Sequence, residues 1–173
     1  MRIIDCSYGE HAAMILAILN DVIATSTALY DYAPRPLESM VGWFEAKQQR
    51  NFPVLGAVGA DGALAGFASY GTFRAWPAYK YSVEHSVYVA KDQRGAGVGL
   101  ALMRRLIATA TERQLHVMVG GIDVSNRASI ALHEKLGFIH AGTLKHAGFK
   151  FGRWLDLAFY QLLLPTPERP QDG

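Results

Sequence analysis

Three glycines, Gly95, Gly97 and Gly99, follow Arg94 in the run V87-Y-V-A-K-D-Q-R-G-A-G-V-G-L-A-L-M103, between a β-like and a helix-like segment. Glycine removes the side-chain obstacle, so backbone N–H groups can converge on an anion. A helix N-terminus adds roughly half a positive charge there. A pyrophosphate suits that arrangement, and a plain glycine-rich turn between two core elements suits the same residues. Two better-known phosphate loops fail on spacing. A Walker loop needs Lys and Ser or Thr after its last glycine, where this chain has Leu100 and Ala101. A dinucleotide fingerprint needs glycine at its sixth position, which counted from Gly95 is Leu100, although Asp123 lies near the distance expected of a ribose-binding acid.

A second group of polar residues lies in I122-D-V-S-N-R-A-S-I-A-L-H-E-K-L-G-F138. On a helix beginning near Ser125, the side chains of Asn126, Ser129 and His133 fall on one face, while Leu132 and Leu136 point elsewhere. That stripe faces a ligand, or it is a solvated face with Ser125 or Asn126 as N-cap.

These residues need elements to position them. Residues 2–6 read as a short strand, and residues 10–25 as a helix that buries Ile15, Ile18, Leu19, Val22 and Ile23. The turn-rich segment T25-S-T-A-L-Y-D-Y-A-P-R-P36 leads to a second helical repeat ending near Arg50. Apolar runs over 53–60 and 64–73 flank Asp61-Gly62, a hairpin signal, and 79–89 reads as a third meander strand. Residues 97–113 are helical in pattern, 117–122 strand, and 126–136 helix with Gly137 as a left-handed C-cap; 138–163 forms two strands joined near Gly148–Gly152. The order predicts one α/β (α+β) domain over 1–164 with a largely antiparallel sheet, followed by a flexible polar tail over 165–173.

Composition narrows the function classes. The 173 residues are half apolar and 18% charged, with net charge +2 and no block of like charges, so no nucleic-acid footprint or polybasic membrane patch is implied. Cys6 stands alone, which excludes an internal disulfide, fits a reducing compartment and gives no metal-ligand spacing; it is expected buried in the first strand. Asp5, Glu10, Asn20 and Asp21 interrupt any leader-like apolar run, and the expected location is the cytoplasm.

Together, V87-Y-V89, R94-G-A-G-V-G99 and N126-x-x-S129-x-x-x-H133-E-K-L-G-F138 resemble the acetyl-CoA site of the GCN5-related N-acetyltransferases (GNAT). More narrowly, E84-H-S-V-Y-V89 and K150-F-G-R-W-L-D156 resemble the branch that acetylates phosphinothricin, methionine sulfone or methionine sulfoximine, a detoxification chemistry. The resemblance implies the GNAT fold: a mostly antiparallel mixed sheet of about seven strands flanked by four helices. It implies acetyl-CoA as cosubstrate and no metal. Main-chain groups of Val87, Tyr88 and Val89 would pair with the pantetheine arm. Gly95, Ala96, Gly97, Val98, Gly99 and Leu100 would hold the pyrophosphate, Asn126 would bond the pantetheine, and Arg94 and Ser129 would also contact the cofactor.

It also implies direct transfer in a ternary complex, with a backbone N–H near Tyr88 facing the developing oxyanion. The acceptor amine must lose a proton before it attacks the thioester. Glu84 is the first candidate base and His85 the second, although strand alternation places His85 opposite Glu84 and Ser86, where a core histidine fits equally. His133 stands where many relatives carry a Tyr that protonates the thiolate; it is the candidate acid or a structural residue. Arg74, Ala75 and Trp76, with Glu84, His85 and Ser86, match the branch's substrate contacts, and Tyr30 would roof the pocket. A guanidinium at 74 suits a carboxylate or phosphinate. The branch further implies a homodimer with Arg153 and Trp154 near its interface. The alternatives are a protein or peptide N-acetyltransferase and a non-catalytic CoA-binding module.

Overall fold

A computed structural model of the chain describes residues 1–172. The elements are β1 (Arg2–Asp5), α1 (Tyr8–Thr25), α2 (Ser39–Gln49), β2 (Val54–Val58), β3 (Leu64–Thr72), β4 (Ser82–Val89), α3 (Val98–Glu112), β5 (Val117–Asp123), α4 (Arg127–Lys135), β6 (Ile139–Lys150) and β7 (Arg153–Leu163). The strands form a seven-stranded sheet in the order β1-β2-β3-β4-β5-β7-β6. β4 and β5 run parallel, whereas β1–β2, β2–β3, β5–β7 and β6–β7 are antiparallel. This is the mixed, mainly antiparallel α/β arrangement that the sequence predicts.

The chain divides into two compact units, residues 1–70 with 86–106, and residues 71–85 with 107–172. In the first, α1 buries Ile15, Ile18 and Leu19 at helical spacing against Met40 of α2 and Val54, Val58, Leu64 and Phe67 of the hairpin. Burial of each such side chain stabilises the fold by about 1.5–3 kcal/mol. β2 and β3 are joined through the expected Asp61-Gly62 turn, closed by Gly59 N–H to Ala63 C=O at 3.0 Å and by Ala63 N–H to Asp61 Oδ1 at 3.1 Å. The segment between α1 and α2 is tied down at Arg35. Its N–H donates to Asn20 Oδ1 at 2.8 Å, its carbonyl accepts from Asn20 Nδ2 at 3.0 Å, and its guanidinium holds Asp31 through Nε and Nη2.

In the second unit, β5 pairs with β7 from Val117↔Leu163 to Asp123↔Leu157, and β6 folds back on β7 around Phe151 and Gly152. Helix α4 is closed at both ends. Asn126 Oδ1 accepts from Ser129 N–H at 3.1 Å as the N-cap. At the other end Gly137 takes φ +87°, Phe138 N–H reaches His133 C=O and Gly137 N–H reaches Glu134 C=O, both at 3.0 Å. That is a Schellman motif, and it gives Leu-Gly-Phe its physical meaning: a left-handed glycine turns the chain so that Phe138 packs back on the His133 ring, 5.0 Å between centroids.

Two local expectations need correction. The strand expected over 79–89 begins at Ser82, because Pro77–Tyr79 form a 3-10 turn with Tyr79 N–H on Trp76 C=O and Lys80 N–H on Pro77 C=O. Cys6, expected buried within the first strand, follows the last residue of β1 and is half-buried. Within the segment expected as a tail, Thr166 bonds His116 and Leu115, and Gln171 bonds Tyr81; Gly173 lies outside the described residues.

Candidate active site

β4 presents Glu84 and His85 to opposite faces of the sheet, as the two-residue period of a strand requires. Its parallel pairing to β5 is registered at Ser82↔Val117, Val83↔Met118 and Glu84↔Val119. The next two residues of β5 are glycines, and each leaves room for one of these side chains. A Cβ at Gly121 would lie 3.3 Å from Glu84 Oε1, and one at Gly120 would lie 2.7 Å from His85 Nε2.

Glu84 is half-buried, and that burial pushes its carboxyl above the ordinary carboxylate range, while the charge of Arg74 pulls it back. A base raised toward neutrality is better matched to an amine than an ordinary surface carboxylate. Arg74 itself is exposed, its guanidinium 4.7 Å over the Phe73 ring and its Nη1 donating to Phe73 C=O at 3.2 Å. Ala75 is exposed, and Trp76 is 74% exposed, so its indole is not packed into the protein.

The opposite face is closed. His85 is buried, with its Nε2 3.0 Å from Nε2 of His133, which is 1% exposed. His133 Nδ1 lies 2.6 Å from Ser129 C=O, one turn back on α4. Phe138 stands edge-on to both imidazoles. Burial, and then the neighbouring His133, push His85 down from 6.5 to about 3; burial pushes His133 down as well, partly opposed by its bond to Ser129. Both rings are neutral at physiological pH. Asn126, Ser129 and His133 therefore do share a face, but their mutual bonds are helix-internal: cap, carbonyl and ring.

In the first unit, the ring of Tyr88 packs on Phe67 at 5.4 Å between centroids. Gly66 lets β3 approach closely, since a Cβ there would meet Tyr88 O at 2.7 Å. Ser86, Val87 and Val89 are half-buried along the same strand. After β4 the chain passes Arg94, whose Nε reaches Val89 C=O at 3.4 Å and whose Nη2 lies 3.9 Å from Asp21. Gly95 and Gly97 adopt φ +79° and +81°, and nothing stands within 4 Å of where their Cβ atoms would be. Ala96 is exposed between them.

Val98 opens α3, and Ala101 N–H makes a helical bond to Gly97 C=O at 3.0 Å. Main-chain N–H groups in the first turn of a helix have no partner within the helix. An open glycine loop running into such a turn fits a pyrophosphate, so Gly95–Leu100 suit the phosphates of a CoA-type ligand. Tyr30, on the segment held by Asn20 and Arg35, is 37% exposed. Among the described residues, no group of three or more His, Cys, Asp or Glu side chains could hold a metal.

Sequence reading missed the contact between His85 and His133, 48 residues apart, and the need for Gly120 beneath it. A signal was present: two consecutive glycines inside the otherwise strand-forming V117-M-V-G-G-I122, where glycine weakens a strand unless something approaches closely.

The fold and this arrangement define a class, and residues 16–138 match the family model described as Acetyltransferase (GNAT) family. The chain belongs to that family. It is 46% identical over 157 residues, 90% of this chain and 91% of the relative, to the L-methionine sulfoximine/L-methionine sulfone acetyltransferase of Pseudomonas paraeruginosa. The phosphinothricin acetyltransferase from Sinorhizobium meliloti, solved with acetyl-CoA, superposes with TM-score 0.94 at 32% identity, covering 99% of this chain and 94% of that one. A ribosomal-protein-alanine N-acetyltransferase from Brucella melitensis superposes with TM-score 0.91 at 43% identity, covering 95% of this chain and all of that one (100%).

Proposed function

We propose that this protein transfers an acetyl group from acetyl-CoA to the α-amine of a small amino acid of the methionine sulfone, methionine sulfoximine or phosphinothricin type. The observation that carries the reading is Glu84: a half-buried carboxyl raised by its surroundings, with the Arg74 guanidinium close enough to influence it. Acetyl-CoA supplies the acetyl group as a thioester. The chain's own residues do the rest. Val87–Val89 offer main-chain partners to the pantetheine, Gly95–Leu100 hold the pyrophosphate, and Asn126 keeps its Nδ2 for the pantetheine while its Oδ1 caps α4. Arg74 takes the substrate carboxylate or phosphinate, with Trp76 beside the side chain. Glu84 accepts the proton of the amine, directly or through water, and an N–H near Tyr88 faces the negative charge that develops on the acetyl oxygen.

Transfer is direct, with no acyl-enzyme. Supporting this, burial and the Asp5 charge push Cys6 up to about 12, which leaves almost no thiolate at neutral pH. The test is release of free thiol when protein and acetyl-CoA meet methionine sulfone, methionine sulfoximine or phosphinothricin. Absence of turnover on all three removes the substrate assignment.

A second reading, a protein or peptide acceptor, draws on the 74% exposure of Trp76 and the Brucella melitensis neighbour. A panel of alanine-initiated peptides in the same assay separates the two. CoA binding with no turnover on either panel would leave a binding module.

The exposed apolar residues Ile139, Leu144, Phe149, Phe151 and Trp154 on the β6–β7 hairpin support a homodimer through that hairpin. No helix among the described residues is long and apolar enough to cross a membrane, which is compatible with a cytoplasmic enzyme.

A further inference from the structure

The two buried imidazoles carry more information than their proximity. The Ser129 carbonyl can only accept, so His133 Nδ1, 2.6 Å away, carries a proton. A neutral His133 then has a bare Nε2. That atom lies 3.0 Å from His85 Nε2, a distance that requires one proton between them: two protons would collide, and two lone pairs would repel. The shared proton belongs to His85 Nε2, which donates. His85 Nδ1 is therefore bare, and it is buried without a hydrogen-bond partner. Each tautomer follows from the one before, starting at a main-chain carbonyl of α4. In this state His133 has no free proton to deliver: one is held by Ser129, and its other nitrogen is an acceptor.

The place of the pair in the sheet gives it a task. Registered pairing of β4 to β5 reaches Glu84↔Val119, and the very next residue of β4 is His85. Side-chain bonding to α4 fastens the strand at the residue following the candidate base. Gly120 of β5 is needed for it, since a Cβ there would lie 2.7 Å from His85 Nε2 and 3.2 Å from His133 Nε2. The surrounding rings are Phe138 and Tyr160, the latter 6.5 Å from His133 and the one ionisable neighbour among these ring contacts.

We infer that His85 and His133 form a tautomer-locked pair sharing one proton, which positions Glu84 on β4 and takes no part itself in proton transfer to or from substrate. The positioning role rests on the reading of Glu84 as the base; the tautomer assignment does not.

Long-range proton–nitrogen NMR of the full chain with labelled histidine tests the assignment. At neutral pH it should show His133 protonated at Nδ1 and His85 at Nε2, both neutral. A protonated His133 Nε2, or an imidazolium on either ring, overturns the inference. Kinetics test the role. His85→Gln retains an amide N–H that can donate to His133, whereas His85→Leu cannot. The loss of one net hydrogen bond corresponds to about tenfold in kcat for His85→Leu, with KM for acetyl-CoA unmoved, against about threefold for His85→Gln. Equal losses in the two variants overturn the positioning role.

Should His85→Leu fail to fold, the wild-type spectrum and the His85→Gln rate still decide, because a loss well beyond threefold in the glutamine variant contradicts the inference. Should the wild type acetylate none of the proposed substrates, the substrate reading falls alone. The Glu84 carboxyl titration, followed by carbon NMR in wild type and His85→Gln, then carries the test. A Glu84 midpoint that moves when Tyr160→Phe is made but not when His85 is changed would also refute the pair's role.

Discussion

The interior around His85, His133 and Gly120 and the segment Phe73–Lys80 belong to the same compact unit and are built on opposite terms. In the interior, polar atoms are matched at 2.6 and 3.0 Å, and a glycine clears the space for them. The other segment exposes Arg74 and Trp76, with the guanidinium resting on its neighbour Phe73. Glu84 shares features of both: it is half-buried beside Gly121 and feels the charge of Arg74. The difference teaches where each kind of precision comes from. A base has to be held by the fold before substrate arrives. A recognition loop can complete itself on the ligand, at a cost in ordering. Substitutions should accordingly act on stability and kcat in the interior, and on KM in the loop.

The largest expected effect is Gly120→Val. Its branched side chain has no space beneath the two imidazoles, and displacing a buried hydrogen-bonded pair costs about 3 kcal/mol or more. Thermal unfolding should show a midpoint lower by roughly 10 °C. A variant within a degree or two of wild type would mean that the interior is looser than its distances imply.

Acid should act on the same place. The folded pKa values of His85 and His133 lie below the unfolded value, so the unfolded chain binds more protons. The His85 contribution is fully present above pH 6.5 and is lost as pH falls from there toward about 3, and that of His133 is lost in the same direction. The expected loss is about 3 kcal/mol by pH 4, read from urea midpoints. His85→Gln, which cannot titrate, should flatten that slope. Glu84 has the opposite sign: its folded pKa is raised, so its contribution favours the fold at low pH and diminishes as pH rises through that pKa.

Next in size is Glu84→Gln, where a positioned base contributes typically about 100-fold or more to turnover. The deficit should be deepest near neutrality and shrink as pH rises and the free amine becomes abundant. In the wild type, the acid limb of kcat/KM should lie above the ordinary carboxylate range, because burial raises the Glu84 carboxyl. A Gln variant with an unchanged pH profile would remove Glu84 from the mechanism.

The contrast between interior and loop also marks how far the sequence could be read. Periodicity and turn chemistry are local, so α1, the Asp61-Gly62 hairpin and the Gly137 C-cap were legible. They placed the glycine loop at the head of α3 and His133 on α4. Position 126 was legible in two ways, as ligand contact and as N-cap, and its Oδ1 serves as the cap. The His85–His133 bond joins residues 48 apart; the paired glycines of β5 mark a close approach, but no local pattern says which side chains make it. The start of β4 was misread for a related reason: aromatic Tyr79 and Tyr81 favour strand, but Pro77 commits the preceding residues to a 3-10 turn.

On the loop, effects should be smaller and fall mainly on binding. Arg74→Ala should raise KM for the amino-acid substrate about tenfold, the worth of one charge-assisted contact, and leave the unfolding midpoint unmoved. Arg74→Lys should recover only part of it, since an ammonium cannot make the paired contact of a guanidinium. Loss of Arg74 also removes the charge that holds Glu84 down, so the acid limb of the rate profile should move to higher pH in Arg74→Ala. An acid limb that stays in place would separate the two residues functionally.

Trp76→Ala is the smallest change and the one that most directly questions the substrate. Its indole is 74% exposed in the free protein, so truncation should leave stability within about 0.5 kcal/mol. If the ring closes on a small side chain, KM should rise about threefold for methionine sulfone and for phosphinothricin alike, since both carry a two-methylene stem and a terminal methyl. If the acceptor is instead a peptide N-terminus, the small amino acids should be insensitive to the substitution while an alanine-initiated peptide loses affinity. The direction of that difference assigns the loop to one acceptor class, because an exposed indole gains contact area only from whatever substrate reaches it.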